Sequence, residues 1–474
     1  MIVNALSLGV LRHDADELEG VLRQIVAEHL ALNPIPTRDD AVIASYYLAL
    51  RTTRLEDAVK EIAYHATSGI RNPPPGTLLS ECTAELAGID AFDSTGRIGL
   101  VHVAFPLKML LAPDGHLTSS DLLHITAGAI IFDIFEHQDA RLIGLQLPES
   151  VLRTFPGPAY GPEGIRELTG FGLDEPAFGT ILKPTAGITP DDVERLVSQI
   201  AVCPLFLFVK EDENLLPNLD YSPVADRVRR AVTAIERAMP ARGERGLIYA
   251  PHISGAPGEI LESVHAAVEA GATGVMFSET FSGGTVRMVR DATKNLPKPP
   301  AIYGHNAGIG VKTRAIWREV IDFLARLDGI DFRQTAPVRP GAPFLRPFGA
   351  EWEASEEVLS RPLPGIKPTM VVRAGSLDQG NIGLNLADAE RRGITSNVLF
   401  LAGSAINAFK NDRGEPDPGL GAEAMIQAIE VHRSGELAGI GQDDHLTALF
   451  ALATQQHLEP LRTSLVQRYG AIGS

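Results

Sequence analysis

The chain has 474 residues, of which 45% are hydrophobic and 21% are charged, and its formal net charge is −17 at pH 7. This is the composition of a globular protein, and the length suffices for a large core. The acidic balance argues against nucleic-acid binding, which needs a basic surface. Cys82 and Cys203 are too few for a disulfide framework, and their spacing matches no zinc motif. We therefore expect a reducing, cytoplasmic environment.

The N-terminal stretch MIVNALSLGVLRHDADE is briefly apolar and then acidic. It has neither the basic start nor the small-residue cleavage site of a signal peptide, so we expect none. No window of the sequence approaches 18 uninterrupted apolar residues, and we expect no membrane span.

Residues 1–150 mix helical and strand patterns, which predicts an α+β domain of the ferredoxin-like type with an open sheet. Helices are predicted from DELEGVLRQIVAEHL, from TRLEDAVKEIAYHA with Thr53 as its N-cap, and from SSDLLHITAGAIIFDIF. Strands are predicted from AVIASYYLAL, RIGLVHVAFP and ARLIGLQLP. The Pro/Gly-rich segment RTFPGPAYGPEG then marks a domain boundary.

Eight short apolar runs follow, most of them separated by segments with helical periodicity. The runs are GTILKP, LFLFVK, LIYAPH, GVMFS, AIYGH, GIDFR, MVVRAGS and VLFLAGS. Eight strand–helix units are the number in a TIM (β/α)8 barrel, whereas a doubly wound sheet rarely has eight such strands in succession. We therefore predict an α/β fold with a TIM barrel over residues 151–435 and a helical tail over 436–474. The Pro-rich stretch from Ala336 to Lys367 is predicted to be a long loop with short helices and is a candidate lid.

Barrel active sites lie at the carboxyl ends of the strands, and polar residues occur at most of these ends. In strand order they are Lys183; Lys210, Asp212 and Glu213; His252; His305 and Asn306; Arg333; Gly375 and Ser376; Gly403 and Ser404.

The stretch FVKEDEN, residues 208–214, places a lysine and three acids directly after an apolar strand. Such charges are costly to bury unless they are paired. Asp212 and Glu213 are hard oxygen ligands of the kind that suits Mg²⁺. Lys210 either neutralises them in a surface ion cluster or carries CO₂ as a carbamate, which would add a third anionic oxygen.

The motifs GTILKPTAG and FVKEDEN, together with TFPGPAYG before the barrel, resemble the large subunit of Rubisco and the Rubisco-like proteins. The resemblance extends over about residues 40–435. It implies that Lys210 is carbamylated and binds Mg²⁺ together with Asp212 and Glu213. It also implies that Lys183 lies near the enolate as an electrostatic stabiliser or an acid–base group.

The same resemblance gives roles to other strand ends. His305 matches the family's histidine after strand 5, and Gly375 and Gly403 lie where the family binds a phosphate through backbone N–H groups. The alternatives are a structural histidine and simple strand–helix turns. We predict Lys183, Lys210 and His305 as catalytic residues, and as substrate-binding residues Asn306, Arg333, Gly375, Ser376, Gly403 and Ser404.

Several positions depart from the carboxylases of this family. Asn306 stands where they have a phosphate-binding arginine, Arg333 stands where they have a histidine, and no lysine follows strand 6 before Lys367. The Gly-Gly-Gly run of strand 8 is LAGSA. In the first domain, a glutamate, a Thr-Trp pair and an asparagine of the family correspond here to His65, Ile70-Arg71 and Ala129.

These departures imply that the chain does not fix CO₂ on a bisphosphate. We expect Mg²⁺-dependent enolate chemistry on a small keto or sugar-acid substrate with at most one phosphate. Methionine-salvage enolases of the family have a lysine base at the position of Ala129, so loss of CO₂ from a β-keto acid is one route to the enolate here. Isomerisation with Lys183 or His305 as the base is the other.

A non-catalytic binding or regulatory member of the family is a further alternative, although unused buried charges are unfavourable. The resemblance also implies a homodimer or higher homo-oligomer, in which the first domain of one subunit covers the barrel mouth of the next. His65, Arg71 and Lys108 are then candidates to reach the partner's site.

Overall fold

The structure is a computed structural model that describes residues 15–128, 131–133, 136–243, 245–338 and 352–470. Its first part is a four-stranded antiparallel sheet, the N-terminal sheet, in which the strands lie in the order second, third, first, fourth. The strands are Ala41–Leu50, Glu85–Ala91, Ile98–Pro106 and His137–Gln146. The first strand is buried along its whole length because it lies inside the sheet. This order is the ferredoxin-like arrangement predicted from the sequence.

Two predictions for this part need correction. The helix Leu55–Ala66 is capped at Arg54 without a side-chain hydrogen bond, so Thr53 is not its N-cap. The backbone N–H of Thr53 instead donates to Glu136 Oε1 at 2.6 Å. The helix predicted from SSDLLHITAGAIIFDIF is an α-helix only over Ser119–Leu123 and continues as a π-helix to Gly128, and Ala129 lies outside the described residues.

The second part is a barrel of eight parallel strands, as predicted. Barrel strands 1 to 8 are Ala177–Ile181, Phe206–Lys210, Ile248–Ala250, Gly274–Phe277, Ala301–Gly304, Phe332–Thr335, Met370–Ala374 and Val398–Ala402. They pair in the order 4-5-6-7-8-1-2-3. A parallel bridge between His252 and Met276 joins strand 3 to strand 4 and closes the ring.

Helices surround both parts. Those before the barrel strands are Ala15–Leu32, Leu55–Ala66, Leu78–Glu81, Ser119–Leu123, Glu149–Leu152 and Gly161–Thr169. Those between and after the barrel strands are Pro190–Ala201, Val224–Ala238, Pro257–Glu269, Thr285–Thr293, Ile309–Lys312, Arg318–Asp328, Trp352–Ser360, Ile382–Arg391, Ser404–Asn407, Pro418–Ser434, Gln442–Gln455 and Glu459–Tyr469. Short 3₁₀ turns occur at Leu107–Met109, Met239–Arg242 and Thr395–Asn397, and a two-stranded ribbon is formed by Asn218–Leu219 and Ser222–Pro223. Of the helices in the described ranges, none is long and apolar enough to cross a membrane.

Apolar side chains fill the barrel below its carboxyl end. The ring of Phe208 lies 4.8 Å from that of Phe332 and 5.5 Å from that of Tyr303, centroid to centroid. Because side chains alternate along a strand, Lys210 follows Phe208 on the inner face. The aromatic layer is therefore the floor on which the residues at the strand ends rest.

Asp328 joins the barrel to the N-terminal sheet region. It ends the helix Arg318–Asp328 and accepts a hydrogen bond from the hydroxyl of Ser119. Its other carboxylate oxygen, Oδ1, is buried without a hydrogen-bond partner in the described residues. Burial raises the pKa of Asp328 to about 6, despite the opposing hydrogen bond from Ser119 and the charge of Arg287.

We expect the change in the free energy of unfolding caused by Asp328→Asn to be more favourable above pH 6 than near pH 4, because Asn cannot ionise. The folded state holds this proton more tightly than the unfolded chain, so wild-type stability falls as the pH rises between about 4 and about 6. The fall amounts to roughly 3 kcal/mol for a shift of this size. Urea unfolding across this range measures it, with Asp226→Asn as the control, since the Asp226 side chain is 48% exposed. A stability difference that does not change with pH would contradict this account.

Candidate active site

A cleft of about 830 Å³ opens at the carboxyl ends of the barrel strands. Its walls come from the ends of strands 1, 2, 5, 6, 7 and 8. It brings together nine of the residues singled out from the sequence: Lys183, Asp212, Glu213, His305, Asn306, Gly375, Ser376, Gly403 and Ser404. Lys210, Arg333 and His252 do not line it, and all three are buried.

Lys210 lies on the aromatic layer, behind the lining of the cleft, with no solvent exposure. Its Nζ is 3.4 Å from Glu213 Oε2 and 3.2 Å from the backbone oxygen of Glu211, and it stands 5.7 Å from the centre of the Tyr303 ring. Burial lowers the pKa of Lys210, although the nearby carboxylates of Glu213 and Asp212 oppose this. Its neutral amine, the form that reacts with CO₂, is therefore more populated than in an exposed lysine.

Of the three acids that follow strand 2, Asp212 and Glu213 line the cleft and Glu211 does not. Glu211 has a structural role instead. Its two oxygens accept hydrogen bonds from Arg227 at 2.8 and 2.9 Å, from the Tyr249 hydroxyl at 2.7 Å and from the backbone N–H of His252 at 2.9 Å. Neither Glu211 nor Arg227 is exposed. Glu211 is thus a fully satisfied buried acid that anchors strand 2 to the helix Val224–Ala238.

Asp212 and Lys183 form an ion pair between the ends of the neighbouring strands 2 and 1, on one wall of the cleft. Lys183 Nζ donates to Asp212 Oδ2, while Asp212 Oδ1 accepts from the backbone N–H of Asn214 at 3.1 Å and from its side chain at 2.9 Å. Asp212 is buried, whereas the Lys183 side chain is partly exposed to the cleft. Lys183 therefore presents a cation to any ligand that reaches Asp212.

Glu213 and His305 connect strand 2 with strand 5. His305 Nε2 lies 3.3 Å from Glu213 Oε2, and His305 Nδ1 accepts a hydrogen bond from the backbone N–H of Ala307 at 3.1 Å. This assigns the proton of a neutral ring to Nε2. Burial, together with the charges of Lys210 and His252, lowers the pKa of His305 well below its ordinary value. In this geometry neither ring nitrogen is a free base.

The oxygen donors fit a hard cation only in part. Asp212 and Glu213 contribute two carboxylates, and among the residues that the structure describes no group of three or more His, Cys, Asp or Glu side chains is placed to hold a metal ion. Mg²⁺ is usually bound through a few carboxylates and water. A carbamate on Lys210, whose Nζ is 3.4 Å from Glu213, would supply the third anionic oxygen. The residues present therefore fit a Mg²⁺ site that depends on Lys210.

Arg333 does not line the cleft, and its predicted position at the end of strand 6 is wrong, because it is the second residue of the strand Phe332–Thr335. Its guanidinium pairs with Asp322 Oδ1 and with Glu279 Oε1, both at 2.6 Å. Asp322 is buried and the Glu279 side chain is 13% exposed; both lie on other parts of the barrel, and Arg333 paired with them is outside the lining of the cleft. Its predicted contact with substrate is not supported by this geometry.

The strand 5 side of the cleft is lined by the predicted residue Asn306 and by Arg314, which was not predicted from the strand ends. Asn306 Oδ1 accepts a hydrogen bond from Arg318 at 2.9 Å, and Asn306 Nδ2 has no partner within the described residues. Arg314 lines the same wall, is exposed, and forms no ion pair with any residue in the described ranges. It stands beyond the short helix Ile309–Lys312, so only the fold brings it to the cleft.

The first-domain candidates do not reach this cleft within one chain. His65 lies 3.6 Å from Glu61, and Arg71 pairs with the same carboxylate at 2.7 Å. Lys108 lines a separate surface cavity beside the N-terminal sheet. Of the candidate lid from Ala336 to Lys367, residues 339–351 lie outside the described residues; the helix Trp352–Ser360 lies within it.

Known proteins match both the sequence and the fold. Residues 165–341 match the catalytic domain of the ribulose bisphosphate carboxylase large chain. An uncharacterized ribulose bisphosphate carboxylase-like protein of Bordetella bronchiseptica is 30% identical over 310 residues, which cover 62% of this chain and 67% of that protein. The 3-oxo-isoapionate-4-phosphate decarboxylase of Rhizobium etli is 27% identical over 356 residues, 73% of this chain and 78% of that protein. The octameric ribulose-1,5-bisphosphate carboxylase/oxygenase of Pyrococcus horikoshii has the same fold, with a TM-score of 0.74 at 21% identity over 91% of this chain and 96% of that one.

We expect Arg227→Met to destabilise the protein by about 3–5 kcal/mol, because it leaves the buried carboxylate of Glu211 without its charge partner. Urea unfolding measures this change. Arg229→Met on the same helix is the matched control: Arg229 pairs with Asp226 at the surface, 60% and 48% exposed, and exposed pairs contribute about 1 kcal/mol at most. Equal losses in the two variants would contradict a structural role for Glu211.

Proposed function

The chain belongs to the ribulose bisphosphate carboxylase large-chain family, and we propose that it is a Mg²⁺-dependent enzyme that removes CO₂ from a small phosphorylated β-keto acid. The observation that carries this proposal is the convergence of Lys210, Asp212, Glu213 and Lys183 at one side of the cleft. When bound there, Mg²⁺ would act as a Lewis acid that stabilises the negative charge of an enolate.

Decarboxylation suits this cleft because it needs no base. The bond to the carboxylate carbon breaks, CO₂ leaves, and the electron pair remains on the substrate as an enolate. Proton abstraction would require a free basic nitrogen, and both nitrogens of His305 are engaged. The similarity to a β-keto acid phosphate decarboxylase supports the same choice.

The enolate carbon then takes up one proton to complete the reaction. Lys183 is the proposed donor, since it faces the cleft as an ammonium ion paired with Asp212. Before that transfer its charge stabilises the enolate electrostatically. Asp212 holds Lys183 in place during both steps.

The substrate's anionic groups have two sites in the cleft. Gly375, Ser376, Gly403 and Ser404 offer loop backbone on the strand 7 and 8 side. Arg314 offers a guanidinium with no ion-pair partner among the described residues, on the strand 5 side, where the carboxylases of the resemblance have an arginine in place of Asn306. We propose that a phosphate binds the glycine loops and that Arg314 holds a second polar or anionic group.

We also propose a homo-oligomer, as in the octameric protein of similar fold. His65, Arg71 and Lys108 do not line their own chain's cleft. In such an assembly these three residues of the first domain remain the candidates to reach a partner's cleft.

We expect the purified protein to release CO₂ from 3-oxo-isoapionate 4-phosphate or a closely related β-keto acid phosphate when Mg²⁺ and bicarbonate are present. EDTA should abolish the activity and added Mg²⁺ should restore it. Lys210→Met should lower kcat/KM at least ~100-fold, as for loss of one stabilising group. Lys294→Met, which removes an exposed lysine paired with Asp291, should leave it unchanged.

A second readout of the same variants does not depend on the substrate. With ¹³C-bicarbonate, the wild type and Lys294→Met should show a carbamate resonance that Lys210→Met lacks. Proton exchange next to the carbonyl without CO₂ release would favour an isomerase instead. Absence of both reactions and of the carbamate would overturn the proposal in favour of a binding protein.

We expect Arg314→Met to raise the KM for the phosphorylated substrate at least ~10-fold with a smaller change in kcat, because one charge-assisted contact is lost. Arg314→Lys should recover part of the loss. Arg229→Met on the outer face of the barrel is the control. An unchanged KM in Arg314→Met would exclude Arg314 from substrate binding.

A further inference from the structure

The loop after barrel strand 7 is organised around Asp378. Asp378 is buried, and its Oδ1 accepts hydrogen bonds from the backbone N–H of Gly380 at 2.8 Å and of Asn381 at 3.1 Å. Asn381 in turn donates to the backbone oxygen of Ser376 at 2.8 Å and accepts from the N–H of Asp378 at 3.0 Å. The wall formed by Gly375 and Ser376 is thereby connected to one buried carboxylate.

This wall has a backbone conformation that needs support. Gly375 has a φ of 93° and Ser376 a φ of 62°. The left-handed region is unfavourable for a residue with a side chain and persists where neighbouring contacts hold it. At Ser376 the described contacts that do so run through Asn381 to Asp378.

The last described helix, Glu459–Tyr469, closes over Asp378 from outside the barrel. The Tyr469 hydroxyl lies 2.7 and 2.8 Å from the two carboxylate oxygens, and Arg468 Nε pairs with Oδ2. A Cβ at Gly380 would lie 2.6 Å from Tyr469 Cε2, so the helix end and the loop are in direct contact. Burial and the charge of Asp378 raise the pKa of Tyr469, which keeps its hydroxyl a donor.

A neighbouring contact extends this support to the loop after strand 8. Gln379 Nε2 donates to the backbone oxygen of Ala405 at 2.9 Å and to that of Gly421 at 3.1 Å. Ala405 directly follows Ser404, which lines the cleft. The two glycine loops are therefore joined through the segment that the C-terminal helix contacts.

We propose that Arg468 and Tyr469 are positioning residues that shape the anion-binding wall of the cleft through Asp378. The inference rests on the proposed function only for the identity of the anion, a phosphate group of the substrate. It gives the C-terminal helix a role in substrate binding, although no residue of that helix lines the cleft.

The two residues can be changed without removing the helix. Its attachment to the barrel comes from Leu461 and Leu465, which are buried in the main hydrophobic cluster. The Arg468 side chain is 31% exposed, and Tyr469 is 40% exposed. Their loss should therefore change the loop more than the global fold.

The first arm of the test measures the loop itself by hydrogen–deuterium exchange of peptides that cover residues 371–383. Exchange should be at least ~10-fold faster in Arg468→Gln/Tyr469→Phe than in the wild type. Arg462→Gln is the matched control, since Arg462 lies on the same helix and pairs with Glu459 at the surface. Unchanged exchange in the double variant would overturn the inference, whatever the protein catalyses.

The second arm measures affinity. The KM for the phosphorylated substrate, and the dissociation constant of inorganic phosphate by calorimetry, should both rise at least ~10-fold in the double variant while kcat changes less than ~3-fold. Arg468→Lys should retain part of the affinity. Faster exchange with unaltered phosphate binding would reduce the helix to a structural role and overturn the inference. If the protein does not catalyse the proposed decarboxylation, the hydrogen–deuterium exchange and the dissociation constant of phosphate still test the positioning role of Arg468 and Tyr469.

Discussion

The burial of Lys210 is the constraint around which the candidate site is arranged. An amine without solvent exposure loses its hydration, and its charged form becomes unfavourable unless acceptors replace the water. Glu213 at 3.4 Å and the carbonyl of Glu211 at 3.2 Å provide those acceptors. The orientation of His305 towards Glu213 follows from this arrangement, and Asp212 adds a second carboxylate that Lys183 balances.

Much of the fold is predictable because each barrel unit is a local pattern, a short apolar run followed by an amphipathic helix. The strand Glu85–Ala91 has no such signal. Its sequence ELAGIDA contains a glycine and two acids, and it lies half-exposed at the edge of the N-terminal sheet. It is a strand because Ile98–Pro106 pairs with it. This pairing is a tertiary contact, so the periodicity of the local sequence does not predict it.

The residue types of the site are also predictable from the strand ends, but the directions of the side chains are not. Glu211 and Asp212 are adjacent, yet one serves Arg227 and Tyr249 while the other faces Lys183. The sequence predicts Arg333 as a site residue, but in the structure its guanidinium is paired with Asp322 and Glu279. In each case the deciding partners lie on other strands, helices or loops of the barrel, where local sequence does not indicate them.

The two sides of the cleft are built differently, and this bears on specificity. The strand 7 side is backbone whose shape is held by buried hydrogen bonds to Asp378 and Asn381. Such a wall has one geometry and suits a compact anion such as a phosphate. On the strand 5 side, Asn306 is held by Arg318 while Arg314 is an exposed, long and flexible cation. Under the proposed function, substitutions on the strand 5 side would change which second group is accepted while the phosphate site stays as it is.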